Sequence, residues 1–378
     1  MSAHSKVGAM KTFAEHTTAR VGGPAGEWIT ATSEAEALNV LADHPLPTED
    51  QRAAGRDTLL VLGGGSNLLV AEEGFAGTVL QLGFTGVSAE PVGEDGVDVT
   101  VAAGHDWDDV VAWSVERGLA GLEALSGIPG ATGATPVQNV GAYGADVSQT
   151  LVDLRAWDRA EGEEVTLTAQ DLDFGYRDSL LKRSTIAGSV RYVVLSLRFR
   201  LRHAPGQPMS SPVRYGELAR SLGLDPQLPE SERRAPLAQV RQKVLALRGS
   251  KGMVLDPEDH DTWSTGSFFT NPIVPASSSA SLPEGAPQFP AGVAEDGAEL
   301  VKLSAAWLID NSGCGKGFGA DLVEGRASLS TKHTLAVTNR GTATTEDLLT
   351  VARAARAKVR ERFGIDLHPE PILIGCSL

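Results

Sequence analysis

Hydrophobic residues follow both strand and helix spacings along the chain, which predicts a fold of mixed elements. An unbroken apolar run at 59–62 predicts a buried strand, and alternation at 97–101 predicts a half-buried one. In 195–202, Leu or Phe alternates with Ser or Arg, which predicts an antiparallel strand with one solvated face. We expect the whole of 151–202 to be rich in strands. Shorter strands are expected around Trp28 and Ile29 and at 335–337.

Helical spacing and end signals predict the helices. Ser33, with Glu36 three residues on, forms a capping-box pattern that opens a helix through Leu41. Further helices are predicted at 106–118, 236–249, 302–310 and 344–364. The segment 205–236, rich in Pro, Ser and charged residues, is expected to contain loops. The segment 275–298, rich in Pro, Ser, Ala and Glu, is expected to be a surface loop within the last domain.

Two glycine-rich segments interrupt these patterns. The first, Gly63–Gly65, directly follows the strand at 59–62, and the second is Gly121–Gly144. Glycine permits positive φ and close backbone approach, so both segments suit a backbone that offers N–H groups to phosphate. A tight turn or a flexible loop would look similar, but Ile128 and Val137 in the second segment are unusual in a solvated linker. Together the segments indicate two subdomains that grip one long dinucleotide cofactor.

Length, charge and cysteine content restrict the class of protein. A chain of 378 residues is long enough for two or three domains. The formal net charge is −15 and no long basic run occurs, which argues against nucleic acid and anionic membranes as partners. Cys314 and Cys376 have neither metal spacing nor a disulfide framework, and the start of the chain lacks an apolar signal core. We therefore expect a soluble cytoplasmic protein without a metal.

Four polar residues lie where a chemical role is plausible. Glu370 stands between two prolines beside an apolar strand, where burying a carboxylate is costly unless it stays protonated or has a function. Arg177, in the segment GYRDS, is either a functional cation or the surface partner of Asp178. Arg248 and Lys251 lie at the end of a predicted helix, where the helix dipole is a sufficient reason for a cation.

Several separate motifs match one family. In chain order they are LGGGSN, GLEALSGIPGATGATPVQNVGAYG, GYRDS, GSFFTNP, SAAWLID and a terminal HPE. On these motifs the chain resembles the UDP-N-acetylenolpyruvoylglucosamine reductases, the MurB family, from about His16 to Gly375. The two glycine-rich motifs alone indicate only the wider group of FAD proteins of the vanillyl-alcohol-oxidase type. GYRDS, GSFF and HPE make the resemblance specific.

The resemblance implies an α+β fold with a PCMH/vanillyl-alcohol-oxidase-type FAD-binding region and a C-terminal α/β substrate-binding domain. The implied domains are an FAD-binding subdomain at 1–83, a second one at 84–250 and the substrate-binding domain at 251–364. The tail 365–378 returns to the first subdomain.

The implied reaction is the NADPH-dependent reduction of UDP-N-acetylglucosamine enolpyruvate to UDP-N-acetylmuramate in peptidoglycan precursor synthesis. NADPH reduces FAD, and reduced FAD passes hydride to the enolpyruvyl double bond. Negative charge then builds on the substrate carboxylate, which the guanidinium of Arg177 can stabilise. Glu370 helps if it is protonated and donates a hydrogen bond. Ser267 gives the final proton, with Lys251 or water stabilising the alkoxide.

The resemblance also assigns binding residues by position. The residues implied to hold FAD are Gly63, Gly64, Gly65, Ser66, Asn67, Leu68, Gly104, Ile128, Pro129, Gly133, Ala134, Thr135, Val137, Asn139, Gly141 and Ala142. Those implied to bind substrate are Tyr143, Tyr176, Tyr215, Arg248, Lys251, Asn271 and His333. Tyr215 marks the subtype that closes a tyrosine over the nucleotide. His333 stands where the family has a glutamine.

Other functions remain to be distinguished. An FAD oxidase of the same fold would reoxidise with oxygen and would not need NADPH. A non-catalytic flavin or UDP-sugar binding protein would not change when Ser267 or Glu370 is replaced. Ser267 as a hydrolytic nucleophile is disfavoured, because GSFFTNP lacks the GxSxG elbow. We expect a monomer, with Arg214, Arg248 and Lys251 offsetting the negative charge near the ligands.

Overall fold

The computed structural model describes residues 11–203, 206, 208–225, 227–279 and 282–378. The described chain divides into two compact units. The terminal unit is formed by Met1–Pro24, Ser66–Gly74 and Leu255–Leu378, and the central unit by Ala25–Gly65 and Phe75–Val254. The division predicted at residues 83, 250 and 364 stays a prediction.

The strands follow one another in runs, with helices between the runs. The strands are β1 (Ala25–Ala31), β2 (Leu59–Leu62), β3 (Leu68–Val70), β4 (Phe75–Leu82), β5 (Val87–Val92), β6 (Gly96–Ala102), β7 (Leu119–Ala120), β8 (Gly141–Ala142), β9 (Ala145–Asp146), β10 (Leu151–Asp158), β11 (Glu163–Thr168), β12 (Tyr192–His203), β13 (Ile273–Pro275), β14 (Gln288–Val293), β15 (Glu299–Leu303), β16 (Ala327–Leu329), β17 (Val337–Asn339) and β18 (Ile372–Ile374). The helices are α1 (Glu34–Asp43), α2 (Glu49–Ala53), α3 (Trp107–Glu116), α4 (Ala169–Leu172), α5 (Leu180–Arg183), α6 (Gly216–Ser221), α7 (Leu237–Ser250), α8 (Ala276–Ser279), α9 (Ala305–Asn311) and α10 (Thr345–Phe363).

The central unit contains two main sheets. In the first, with order β1-β4-β2, the strands are parallel. In the second, with order β11-β10-β12-β6-β5, they are antiparallel, and β7 pairs with β12. The predicted strands around Trp28 and at 59–62, 97–101 and 195–202 are therefore confirmed.

Strand β12 shows why the alternating pattern predicted an antiparallel strand. Leu195, Leu197, Phe199 and Leu201 are at most 1% exposed. The intervening Arg198 and Arg200 both form ion pairs with Asp98 of β6. Apolar side chains thus fill the core on one face, and charges occupy the other.

The helix ends mostly follow the predicted capping signals. In α3 the Asp106 carboxylate accepts the Asp109 N–H at 3.1 Å. In α1 the Ser33 hydroxyl accepts the Glu36 N–H at 3.2 Å, but the Glu36 carboxylate accepts the N–H of Thr32 at 2.7 Å and not that of Ser33. The predicted start of α1 is correct, but the Glu36 carboxylate bonds the N–H one residue before the one that a capping box uses.

The terminal unit is built around α10. Thr344 caps this helix by accepting the Asp347 N–H at 3.1 Å, and Gly364 ends it with φ +68. Its buried face, Leu348, Ala352, Ala355 and Val359, belongs to the same core as Leu308 and Ile309 of α9. Strand β18 pairs in parallel with β3, so the tail returns to the chain near residue 69.

Three expectations were wrong in detail. The segment 275–298 is not all loop, because β14 pairs with β15 in a sheet of order β13-β15-β14. The helix predicted at 302–310 begins only after Ser304, since Leu303 still belongs to β15. The strand predicted at 335–337 lies at Val337–Asn339.

Candidate active site

The two glycine-rich segments meet backbone to backbone in the central unit. A Cβ placed on Gly64 would lie 2.6 Å from the Cα of Gly130, and one on Gly63 would lie 3.3 Å from the Cβ of Ala131. Gly65 has φ +63. No side chain fits at Gly64 without moving backbone, so glycine is required where the end of β2 contacts the second segment.

The second segment also follows the chain that leads into α3. Gly133 N–H donates to the Ala103 carbonyl at 2.8 Å, and Trp107 N–H donates to the Gly130 carbonyl at 2.9 Å. A Cβ on Gly133 would lie 2.6 Å from the Ala103 Cβ. These contacts make the segment ordered, tightly packed backbone, as predicted, and such backbone fits a phosphate-bearing cofactor.

Two carboxylates that sequence reasoning missed hold this segment. Glu123, which is 2% exposed, accepts the N–H of Gly121 at 2.6 Å and that of Ser211 at 2.6 Å. Asp108 accepts the Gly127 N–H at 2.6 Å and binds Arg241 through both oxygens. The cost of burying an acid without partners, the argument applied to Glu370, would have singled out Glu123 in its apolar surroundings.

The pKa of Asp108 reflects these contacts. Burial alone would raise it, but the hydrogen bonds from Arg241 and from the Gly127 N–H outweigh burial and hold it below its usual value. Asp108 is thus an anionic support beneath the glycine-rich segment.

Arg177 is anchored to the glycine-rich segment by main-chain carbonyls. Its guanidinium donates to the carbonyl of Gly141 at 3.0 Å and to that of Asn139 at 3.5 Å. The Asn139 amide in turn donates to the Gly175 carbonyl at 3.2 Å and accepts the Ser148 N–H at 3.0 Å. Asn139 therefore ties the predicted cofactor segment to the turn that carries Arg177.

The turn around Arg177 is held from its other side by α5. The Lys182 ammonium donates to the Arg177 carbonyl at 2.8 Å, and the Asp178 carboxylate forms an ion pair with Arg183. Arg177 adopts a left-handed backbone with φ +54. The exposed Tyr176 ring lies 5.7 Å from the guanidinium carbon.

Tyr143 and Tyr215 contact each other. Their ring centroids are 5.5 Å apart in an edge-to-face arrangement, and Tyr215 is 45% exposed while Tyr143 is half-buried. Burial raises the pKa of the Tyr143 hydroxyl, and the nearby cations Lys251 and Arg248 lower it to a smaller extent. The structure thus brings together four of the residues predicted to bind substrate.

The two cations near Tyr143 differ in their surroundings. Lys251 Nζ lies 2.8 Å from Glu217 Oε2, with about a third of each side chain exposed (34% and 35%). Arg248 donates to the Met253 carbonyl at 2.7 Å, and burial lowers its pKa to about 10. Both residues are half-buried, but Lys251 is paired with a carboxylate, whereas the Nε of Arg248 is buried close to Gly127.

In the terminal unit, the segments of Ser267 and Glu370 run antiparallel side by side. Phe268 N–H donates to the Leu335 carbonyl at 2.8 Å, and Glu370 N–H donates to the Phe268 carbonyl at 2.9 Å. Ser267 and Glu370 are both half-buried, as was expected for the glutamate. Ser267, the predicted proton donor, therefore directly precedes Phe268, and the backbone of Phe268 pairs with that of Glu370, the predicted acid.

Asn67, near the end of the first predicted cofactor segment, is hydrogen-bonded to the segment that contains Glu370. The Asn67 amide donates to the Glu370 carbonyl at 3.4 Å, and Ile372 N–H donates to the Asn67 carbonyl at 3.0 Å. Leu68 then begins β3 beside β18. The segment 63–68 is therefore divided, with Gly63–Gly65 in the central unit and Ser66–Leu68 in the terminal unit.

Asn271 and His333 have main-chain contacts in the terminal unit. The Asn271 side-chain oxygen accepts the Ala305 N–H at 2.9 Å, at the start of α9. His333 N–H donates to Ser330 Oγ at 3.2 Å, in a turn that buried Asp261 anchors by accepting the Thr331 N–H at 2.8 Å. A structural bond accounts for the Asn271 oxygen. Its predicted ligand contact stays a prediction.

Sequence comparison identifies the family. A profile for an FAD binding domain matches residues 52–168, and one for the C-terminal domain of UDP-N-acetylenolpyruvoylglucosamine reductase matches 256–374. The reductase of that name from Streptomyces avermitilis is 50% identical over 372 residues, covering 96% of this chain and 93% of its own. That from Saccharopolyspora erythraea is 50% identical over 376 residues, covering 97% and 95%. The chain belongs to the UDP-N-acetylenolpyruvoylglucosamine reductase family. The resemblance found in the motifs is confirmed, and membership makes the chain an FAD-containing oxidoreductase.

A solved structure of the family supports the fold. The crystal structure of UDP-N-acetylenolpyruvylglucosamine reductase (MurB) from Thermus caldophilus matches with a TM-score of 0.61 at 23% identity, covering 96% of this chain and 97% of that chain. The predicted α+β fold with its FAD-binding region is confirmed.

The residues that the reductase resemblance assigned are distributed over both units. Those in the central unit are Gly63–Gly65, Gly104, Ile128–Ala142, Tyr143, Tyr176, Arg177, Tyr215, Arg248 and Lys251; those in the terminal unit are Ser66–Leu68, Ser267, Asn271, His333 and Glu370. Within the described ranges, no group of three or more His, Cys, Asp or Glu side chains is suited to hold a metal ion. None of the described helices is long and apolar enough to span a bilayer.

Proposed function

We propose that this reductase converts UDP-N-acetylglucosamine enolpyruvate to UDP-N-acetylmuramate with NADPH, as a cytoplasmic monomer that serves peptidoglycan precursor synthesis. The observation that carries the proposal is the pairing of the Ser267 and Glu370 segments through the Glu370 N–H and the Phe268 carbonyl. A simple binding protein has no need of a serine and a glutamate held on paired segments. Family membership gives this pairing its chemical meaning.

The residues proposed to hold FAD are those of the two glycine-rich segments and Gly104. The close contacts at Gly64 and Gly133 leave no room for side chains, so a pyrophosphate can approach the backbone of these segments directly. When bound, FAD supplies the hydride chemistry between NADPH and the enolpyruvyl double bond.

Arg177 is proposed to stabilise the negative charge that builds on the substrate carboxylate. Its guanidinium is permanently charged and planar, and its two bonds to the Gly141 and Asn139 carbonyls orient it. A left-handed backbone at a non-glycine residue costs about 1–2 kcal/mol. That strain at Arg177 supports a functional reason for its position.

Glu370 is proposed to act in its protonated form, as a hydrogen-bond donor to the same carboxylate. Its main chain is fixed on both sides, since its N–H donates to Phe268 and its carbonyl accepts from Asn67. A donor held this firmly needs no reorganisation while charge develops on the substrate.

Ser267 is proposed to give a proton to the carbon next to the one that receives hydride. The preceding Gly266 has φ +75 and its N–H donates to Ser264 Oγ at 3.1 Å, while the following Phe268 is bonded to Leu335. The backbone on both sides of the serine is therefore fixed. Proton transfer by a positioned side chain contributes about 10²–10⁴-fold in rate.

The test is the visible absorbance of the FAD-loaded protein under anaerobic conditions, with NADPH added first and the enolpyruvyl UDP-sugar second. In the wild type, NADPH should bleach the flavin band and the sugar should restore it. In Ser267→Ala, bleaching should be unchanged, and recovery should be at least about 100-fold slower. The exposed Ser278→Ala serves as the matched control.

Other results would reject the proposal. If oxygen restores the band and the sugar does not, the protein is an oxidase of the same fold. If neither Ser267→Ala nor Glu370→Gln changes any rate, these residues take no part in the reaction.

A further inference from the structure

The accessible cation near Tyr143 is already paired. Lys251 Nζ lies 2.8 Å from Glu217 Oε2, and the Glu217 carboxylate raises the pKa of the ammonium against the opposing effect of burial. Lys251 is a residue assigned to the nucleotide ligand, while Glu217 has no assigned role. An acid here neutralises a charge that an anionic ligand would use.

Both partners of this ion pair are positioned by packed helices. Lys251 caps α7, and Glu217 lies in α6 two residues after Tyr215. Leu218 and Ala219 of α6 are buried in one small core with Val240 and Val244 of α7. The carboxylate therefore stands beside the ammonium because the helices place it there.

The pair is nevertheless weak enough to be exchanged. Both side chains are about a third exposed, and exposed ion pairs contribute little because water and salt screen them. A diphosphate offers several charged oxygens to one ammonium and forms stronger charge-assisted hydrogen bonds. A nucleoside diphosphate can thus take Lys251 from Glu217.

We propose that Glu217 holds Lys251 in the unliganded enzyme and competes with the diphosphate of the nucleotide substrate for its ammonium. Glu217 is thus a residue that sets the affinity for the substrate from a position beside Tyr215. This inference rests on the proposed function, because it takes the ligand to be a UDP-sugar. The alternative to competition is that Glu217 orients Lys251 toward the ligand and so strengthens substrate binding.

The experiment measures the dissociation constant of UDP-N-acetylglucosamine enolpyruvate by calorimetry on the FAD-loaded protein, without NADPH so that no turnover occurs. Lys251→Met should raise the Kd about tenfold or more, since a charged hydrogen bond is lost. Glu217→Gln should lower it about two- to fivefold. The exposed Glu230→Gln, which removes the same charge elsewhere in the central unit, should leave it unchanged.

A double variant separates competition from general repulsion. In the Lys251→Met background, Glu217→Gln should change the Kd less than about twofold, because the ammonium over which they compete is gone. An equal decrease in both backgrounds would show long-range repulsion only and would overturn the proposal. So would an unchanged or raised Kd in Glu217→Gln alone. If the wild type itself binds no enolpyruvyl UDP-sugar, the proposed function fails first, which is a distinct result.

Discussion

Two ion pairs in the central unit show how differently the same chemistry is used. Arg159 and Asp57 are bonded through both oxygens, at 2.8 and 2.9 Å, with side chains only 0% and 8% exposed. Lys251 and Glu217 share one bond, and about a third of each side chain is exposed. The nitrogen-to-oxygen distances of the two pairs are similar, but the first pair is buried and the second is partly exposed to solvent.

The difference lies in how many donors are satisfied. The Arg159 guanidinium also donates to the carbonyls of His44, Pro45 and Val190, so all five of its N–H groups are bonded. A ligand could therefore add no further hydrogen bond to the Arg159 guanidinium. The Lys251 ammonium has three donors, and its bond to Glu217 uses one of them. A cation whose N–H donors are all bonded within the protein stabilises the fold. A cation that uses only one of its donors for its partner can exchange that partner for a ligand.

Breaking the buried pair should have the largest effect. Arg159→Met leaves the Asp57 carboxylate buried without its cation, and we expect the free energy of unfolding to fall by about 3–5 kcal/mol. Urea denaturation followed by circular dichroism measures it. Arg155→Met, which removes an arginine of the same unit whose side chain is 43% exposed, should cost about 1 kcal/mol or less. Equal losses in the two variants would remove the distinction between buried and exposed pairs.

The pH dependence of stability should separate the pairs further, with a smaller effect. Burial would raise the pKa of Asp57, but hydrogen bonds from Arg159 and Ser189 outweigh burial and hold it below its usual value. The unfolded chain therefore binds this proton first as the pH falls, so the contribution is complete above about pH 5 and is lost as the pH falls through the lowered pKa.

The measurement is the free energy of unfolding from pH 7 down to pH 3, in the wild type and in Asp57→Asn. The variant lacks the titrating group, so its stability, although lower, should fall less steeply below about pH 4. Slopes that agree over this range would contradict the assignment to Asp57.

The same contrast explains how much the sequence could predict. Local patterns found β12, α10 and the two glycine-rich segments, because each is encoded by neighbouring residues. The partners Arg159 and Asp57 are 102 residues apart, and Lys251 and Glu217 are 34 apart, so no periodicity connects them. Strand β14 was missed because five of its six residues are exposed, and a strand without a buried face has no hydrophobic alternation.

The smallest effect on stability is expected at the exposed pair. Lys251→Met removes one screened bond and keeps an apolar side chain of similar length, so the free energy of unfolding should change by no more than about 0.5 kcal/mol. Urea denaturation under the conditions used for Arg159→Met measures it, and unchanged FAD content shows that the central unit is intact. A loss of several kcal/mol would mean that Lys251 supports the fold as Arg159 does. If the free energy of unfolding hardly changes while substrate binding weakens, Lys251 serves ligand binding and not the fold. A diphosphate can bind such a cation without destabilising the protein, because the cation contributes little to folding.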